Sequence, residues 1–468
     1  MNLSGWRHAA LGRFAVMGLG ATLALTACGG SAGDNPGAPE KITVWTLEDV
    51  QSRIDATNAI ADKFTAASGV EVEVVAVAED QYPQLITNAA AADQLPDVVA
   101  SLGLSGVHDL DAKELLDPDM AADLVEELGP QTFSERALAL SKDPEGNQLA
   151  VPSDGWGQIM VYRKDLFDKA GLAAPDSYES IQAAAEKLNS DDRSGITIST
   201  APGDGFTQQT FEQFALGNGC QLVDGQGAVT LNSPQCAASF DYYGKLAGEY
   251  GPAGNQDVDS TRASYFAGKA AMTVWSTYIL DEMAGLRSDA LPTCPECTDD
   301  PEFLAKNSGI VTAIKGPDGE PAQYGEIASW AILDGADDST ADFLRAMMGE
   351  HYTEWLALAP EGKVPVRKGT AENPTEYTDA WQQLETGVDT RKKLSDVYDA
   401  ETLQVLTDGP ETFQRWGIEQ GKGALAGAML AELPVPKALA EVVAGKADGA
   451  KAAADAQKAV EDINQDLG

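Results

Sequence analysis

Histidine is nearly missing from this 468-residue chain: His8, His108 and His351 are the whole complement. Neither later histidine belongs to a His-Glu-x-x-His pair, which excludes a zinc hydrolase of that kind. From Lys41 onward there is no Gly-x-Ser-x-Gly elbow and no Gly-x-x-x-x-Gly-Lys-Ser/Thr loop either. Positive charge is equally short. The 32 Lys and Arg stand against 73 Asp and Glu, a formal net charge of −41. That balance argues against a nucleic-acid partner and against charge-driven docking on anionic lipid. The acids are scattered rather than blocked, so most of them form a solvated surface. Past residue 28 no apolar run is long enough to cross a membrane.

What is present begins with an export address. Arg7, His8 and Arg13 precede the apolar stretch Phe14–Leu25, which is too short for a permanent span. Leu25-Thr26-Ala27-Cys28, with Gly29 behind it, resembles the lipobox of bacterial lipoproteins. The resemblance implies a signal peptide over residues 1–27 and a thioether-linked diacylglycerol on Cys28. Two acyl chains anchor stably, at about 0.8 kcal/mol per buried methylene. The expected place is extracytoplasmic, on the outer face of the bacterial cytoplasmic membrane. Residues 28–40, rich in Gly, Pro and Ala, read as a flexible tether. With Cys28 set aside, Cys220, Cys236, Cys294 and Cys297 remain. An even remainder in an exported chain points to two disulfides, Cys220–Cys236 and Cys294–Cys297. A zinc or redox role for Cys294-Pro295-Glu296-Cys297 competes. No second cysteine pair or nearby histidine completes a zinc site, and the segment sits among prolines and acids. No metal and no cofactor are expected.

From Lys41 the pattern alternates. Ile42–Thr46 is β-rich; Val50, Ile54, Ala61 and Phe64 recur at helical spacing; Ser68-Gly69 ends that helix. Val70, Val72 and Val74 alternate with Glu71 and Glu73 as a second strand. The helical stretch Tyr82–Ala92 then leads through Gln94-Leu95-Pro96 to a third strand, Asp97–Ala100. This is the βαβ pattern of a parallel sheet. Glu48 and Asp49 follow the first strand and Ser101 the third, where α/β sheets bind ligands. About 430 residues beyond the tether are too many for one core and point to two lobes. Farther on, Leu110–Ser141 reads as helical, and Gln158–Tyr162 and Ile196–Thr200 as strands. Ala270–Val274 reads as a short buried strand with Trp275 and Tyr278 just past its end.

Five phrases occur in a telling order. They are Leu95-Pro96-Asp97-Val98; Pro152 with Tyr162–Phe167 and Ala170-Gly171-Leu172; Gly268–Met272 before an aromatic cluster; Gly362–Arg367; and the tail Val442–Lys446. Together they resemble the extracellular solute-binding proteins that feed ABC importers, the family typified by maltose-binding protein. The resemblance implies an α/β, two-lobe periplasmic-binding-protein-like (type II) fold, with a ligand cleft between lobes and a hinge. It implies an N-terminal lobe of residues 41–152 and 325–366 and a C-terminal lobe of 153–324 and 367–468. It further implies a monomer that works with membrane permease subunits and is not an enzyme. Asp49 falls where the family's type member has a sugar-bonding aspartate, and Ser101 where it has a site tryptophan. Trp156 follows the first crossing, Phe206 and Gln208 match contact positions, and Trp330 lies on the return strand. Arg367 closes its motif as a candidate cleft cation, and Leu433 stands where the last stacking ring would be.

A cleft that reads neutral sugars needs flat rings for C–H faces and carboxylates or amides for hydroxyls. Trp156, Trp275, Tyr278 and Trp330 with Glu48, Asp49 and Gln208 meet that need. An anionic ligand would want more than Arg367. The expected ligand is therefore a mono- to oligosaccharide rather than a glycerophosphodiester, polyamine or peptide. Glu48 and Asp49 leave an amino sugar open. A secreted glycoside hydrolase with two catalytic acids competes, and a scaffolding lipoprotein would not need a hinged cleft.

Overall fold

Three parallel strands open the fold: β1 (Lys41–Thr46), β2 (Glu71–Ala76) and β3 (Val98–Leu102), with β1 between the other two. The computed structural model describes residues 41–48, 50–79 and 81–467. The helix Gln51–Ser68 joins β1 to β2 and stops at Gly69, whose φ of +83° suits the left-handed C-cap glycine. The helix Tyr82–Ala91 joins β2 to β3. Asp97 explains the Leu-Pro-Asp-Val phrase. Its carboxylate accepts the Thr43 N–H at 2.7 Å and the Asp337 N–H at 2.9 Å, tying β1 to a distant loop.

Two long strands connect the halves. β4 (Val151–Arg163) pairs through its first part with a later strand and through its second part with β5 (Met272–Ser276) and β6 (Ser308–Val311). Its first-part partner is β7 (Gln323–Ile332), which is antiparallel to both β3 and β4. The short β8 (Val364–Pro365) lies against Asp154 and Gly155 of β4. The path across the sheet is β2-β1-β3-β7-β4-β5. β9 (Glu385–Thr386) and β10 (Lys392–Lys393) form a separate hairpin, and β11 (Phe413–Gln414) pairs with the start of β7. Helices cover the rest, from Pro118–Leu128 near the start to Gly449–Asp466 at the end. This is the type II two-lobe α/β fold, with one core around Ile42, Val98, Trp330 and Trp355 and another around Phe211, Phe240 and Tyr243.

Glycine has a specific task at the centre. Gly155 and Gly157 on β4 and Gly325 on β7 share one face, where Phe413 lies against the bare backbone. A Cβ at Gly325 would sit 1.9 Å from the Phe413 ring. The opposite face of the same strand pair carries Asp154, Trp156, Tyr324 and Glu326, because side chains alternate.

Several expected elements differ. Leu110–Ser141 is not one helical stretch but the end of the helix Leu104–Ala112, then Pro118–Leu128 and Glu135–Leu140. Pro118 and Pro130, each at the start of a helical turn, divide it. Ile196–Thr200 is not a strand but makes an isolated bridge, Thr197 to Thr273. The strand expected at Ala270–Val274 is shifted to Met272–Ser276, so Trp275 lies inside it, paired with Ile159. Both disulfides are formed: Cys220–Cys236 with Cα atoms 4.6 Å apart, and Cys294–Cys297 at 4.9 Å. Cys28 and Asp49 lie outside the described residues.

Candidate ligand-binding site

Trp156 is the centre of the site. It is half-buried on β4, with the Tyr324 ring 5.9 Å away, centroid to centroid, and the Tyr278 ring at 6.3 Å, edge-on. Tyr278 caps the short helix Ile279–Met283 just past the end of β5. Gly362 makes room for it, since a Cβ there would meet the Tyr278 ring at 2.0 Å. Three rings, from the middle of β4, the start of β7 and just past β5, thus come together.

A charged network flanks them on the β1 side. Lys363, 1% exposed, donates to Glu48 at 2.8 Å and lies 3.7 Å from Asp154. It also sits 4.2 Å above the Trp355 ring. Burial alone would lower the Lys363 pKa, but Asp154 and Glu48 hold it above its ordinary value. Glu48 stays below its ordinary value against the opposing effect of burial, because Lys363 and Arg53 face it. Burial pushes the Asp154 carboxyl up, while Ser153 Oγ at 2.6 Å and the Trp355 indole N–H at 2.8 Å donate to it. Arg53 donates to Glu361 at 3.2 Å, lies 3.7 Å from Glu48 and stands 5.7 Å from the centre of the Tyr278 ring. Ser101 completes the network, donating to Glu48 at 3.3 Å and accepting from Lys363 at 3.3 Å. Its φ of +60° is uncommon for a non-glycine residue, and it lies at a register shift between β3 and β7. Such backbone outliers gather where a side chain must be aimed.

A second network flanks the rings on the other side. Arg415 pairs with Glu326 and, at 3.3 Å, with Glu212, and lies 4.6 Å from the Tyr324 ring centre. Glu212 also accepts the Trp416 N–H at 2.7 Å. Glu326 accepts the Leu104 N–H at 2.7 Å, at the start of the helix Leu104–Ala112. A carboxylate there is favoured by the helix dipole and fills the place an anionic group would take.

The expected site residues divide. Glu48, Ser101, Trp156 and Tyr278 come together. Trp275 does not join them: it is 6% exposed, its indole N–H donates to the Val258 carbonyl at 3.1 Å, and its ring packs on Phe206 at 5.6 Å. Being within β5 rather than past it, it points into the packing. Phe206, 9% exposed, is the partner in that packing. Gln208, on the same helix, is 3% exposed, with its Oε1 unpartnered among the described residues. Trp330 belongs to the core, fully buried against Trp355 at 4.5 Å and Phe343 at 6.2 Å. It shares a face of β7 with Glu326, yet four residues carry it about 13 Å along the strand, beyond the rings. Arg367 is no cleft cation either. Its guanidinium is spent on the carbonyls of Met348 and Leu128 and on Thr132 Oγ1. The cation that this motif brings to the site is Lys363, four residues earlier. Leu433 ends the helix Gly423–Glu432 at a φ of +55°.

Residues 51–347 match the family described as Bacterial extracellular solute-binding protein. A putative ABC transporter periplasmic-binding protein, YcjN of Escherichia coli (strain K12), is 26% identical over 388 residues, covering 79% of this chain and 82% of that protein. Among solved structures, the GacH receptor of Streptomyces glaucescens GLA.O, described unliganded and with acarbose, aligns with a TM-score of 0.66 at 18% identity. It covers 92% of this chain and 100% of its own. A solute-binding protein from Thermotoga lettingae TMO bound with α-D-tagatose aligns with a TM-score of 0.67 at 18% identity and the same coverages.

Proposed function

Because the chain belongs to the bacterial extracellular solute-binding protein family and is an ABC transporter solute-binding protein, we propose that it captures a carbohydrate, a mono- to oligosaccharide. The single observation that carries this reading is the half-buried ring pair Trp156 and Tyr278, backed by the buried Tyr324 and set between two hydrogen-bonding networks. Flat rings suit sugar C–H faces, and Glu48, Ser101 and Glu326 suit hydroxyls. The acarbose and tagatose complexes of proteins with the same fold support it.

In this proposal the lobes are residues 41–152 with 325–366 and residues 153–324 with 367–468. They close on the ligand about β4, β7 and the segment after β8, and a monomer delivers the sugar to permease subunits. Cys28 carries the lipid anchor on the extracytoplasmic side of the membrane. The chain binds without turning its ligand over. A thermal-shift screen against a carbohydrate panel, followed by calorimetry and product analysis, tests the reading. Saturable binding without turnover is expected; turnover would favour a hydrolase, and no binding a scaffold. Fractionation of a Cys28→Ala variant tests the anchor, since membrane association after signal cleavage would refute it.

A further inference from the structure

The helix Gly423–Glu432 has two faces with different tasks. Leu425 and Met429, one turn apart, are buried in the core around Phe211 and Phe240 and root the helix there. Gly423 and Gly427, one turn apart on the other side, meet the helix Leu104–Ala112. That helix is rooted elsewhere: Val107 and Leu110 are buried with Val99 of β3 and Leu333, and Leu104 with Ile327 of β7. A Cβ at Gly423 would fall 2.4 Å from the His108 Cβ, and one at Gly427 3.5 Å from the Ser105 Cβ. Glycine inside a helix is unfavourable, and here it lets two helices from different cores approach closely. The contact lies beside the site, since the Leu104 N–H that opens the first helix donates to Glu326.

The approach buries His108, 5% exposed, whose Nε2 donates to the Leu140 carbonyl at 3.3 Å. The acids facing it are Asp111 on its own helix, Asp143 after the helix Glu135–Leu140, and Glu326 on β7. Asp143 is held by Asn147, and Glu326 by Arg415. The helix Gly423–Glu432 brings no charge before Glu432, and Lys422 just ahead of it donates to Asn464 at 3.4 Å. Its positive N-terminal end, at Gly423, disfavours a cation at His108. Burial outweighs the three acids and holds the imidazole below its ordinary range.

We infer that these two helix faces are the latch that holds the lobes shut, and that protonation of His108 releases it. The inference rests on the lobe closure proposed above and goes beyond it by naming the contact and its trigger. Lobes turning apart about β4 and β7 must separate the two faces, because each helix is fixed to its own core. Separation gives His108 to water, where it titrates near 6.5. Closing then expels that proton. Closure is at full strength above about pH 6.5 and weakens below it, by up to about tenfold per pH unit.

Two ligand-free experiments test this. Ser105→Cys with Gly427→Cys sets two Cβ atoms 3.5 Å apart, within disulfide reach. Mild oxidation should remove both new thiols and lock the lobes; two persisting thiols in a variant with an unchanged melting curve overturn the latch. Small-angle scattering at pH 7.5 and 5.5 needs no variant to begin with. The unaltered protein should expand at pH 5.5, whereas the cross-linked protein and His108→Gln should keep their size. No expansion, or equal expansion in His108→Gln, overturns the release by His108. Neither experiment uses a sugar, so their failure leaves the carbohydrate reading standing, and a failed carbohydrate screen leaves the latch standing.

Discussion

The two charge networks that flank the rings are built from the same residue types and finish differently. Around Arg415 the protein completes itself: Glu212 and Glu326 share one guanidinium, and the spare acceptor positions meet the N–H groups of Trp416 and Leu104. Around Lys363 and Arg53 the acids outnumber the cations, and Asp281 is left over. The difference teaches which buried acid takes up a proton. A satisfied buried network rigidifies, whereas an unsatisfied one is high in energy until a partner arrives.

Breaking the satisfied network should cost most. Arg415→Met strands two buried carboxylates, and removing one partner of a buried pair costs about 3–5 kcal/mol. Denaturant unfolding checks this; a loss below about 1 kcal/mol would show that the network is wet or the acids protonated. Lys363→Met should cost less, near the lower end of the same range at about 3 kcal/mol, because Arg53 still faces Glu48. The same unfolding measurement, run beside the first, decides the order of the two.

Titration sharpens the contrast from the open side. The folded protein keeps the Asp281 proton up to about 9, against an ordinary value of 3.8, so in that window folding takes up a proton and stability falls as pH rises. The slope is at most about 1.4 kcal/mol per pH unit for one proton. Melting curves at pH 6, 7 and 8 should decline more steeply in the unaltered protein than in Asp281→Asn. Parallel curves would place the proton elsewhere.

The smallest effect on stability and the clearest on binding belongs to the rings between the networks. Trp156→Ala and Tyr278→Ala each remove a stacking surface worth about 1 kcal/mol beyond area, or roughly tenfold or more in affinity once lost burial is added. Full affinity with a sharply lowered melting temperature would make these rings packing rather than recognition.

How far the site was legible depends on the kind of signal. Glu48 and Tyr278 follow strand ends and Ser101 stands one residue before the end of β3, and a strand end is a local feature that alternation and punctuation reveal. Trp275 was misplaced by a two-residue shift in β5, enough to draw it from the mouth of the cleft into the packing. Tyr324, Glu326 and Arg415 were overlooked because each sits in an otherwise apolar or loosely patterned stretch. Lys363 was in view within its motif, but Arg367 offered the same charge, and only the carbonyls of Met348 and Leu128 show which cation is spent.

By itself the chain's order of residues determined the parallel βαβ opening, the division into two lobes and an even set of four cysteines fit for two disulfides. Each of these rests on local periodicity, length or parity. The tertiary structure alone decided which rings meet and which acid lacks a partner. Alternation tells which face of β7 a residue occupies, but not that Glu326 stands beside Trp156 while Trp330, on the same face, is covered by Trp355. Asp281 was silent in sequence for a related reason: a missing partner is a property of every element packed around it, and those elements come from residues as far apart as Arg53 and Tyr398.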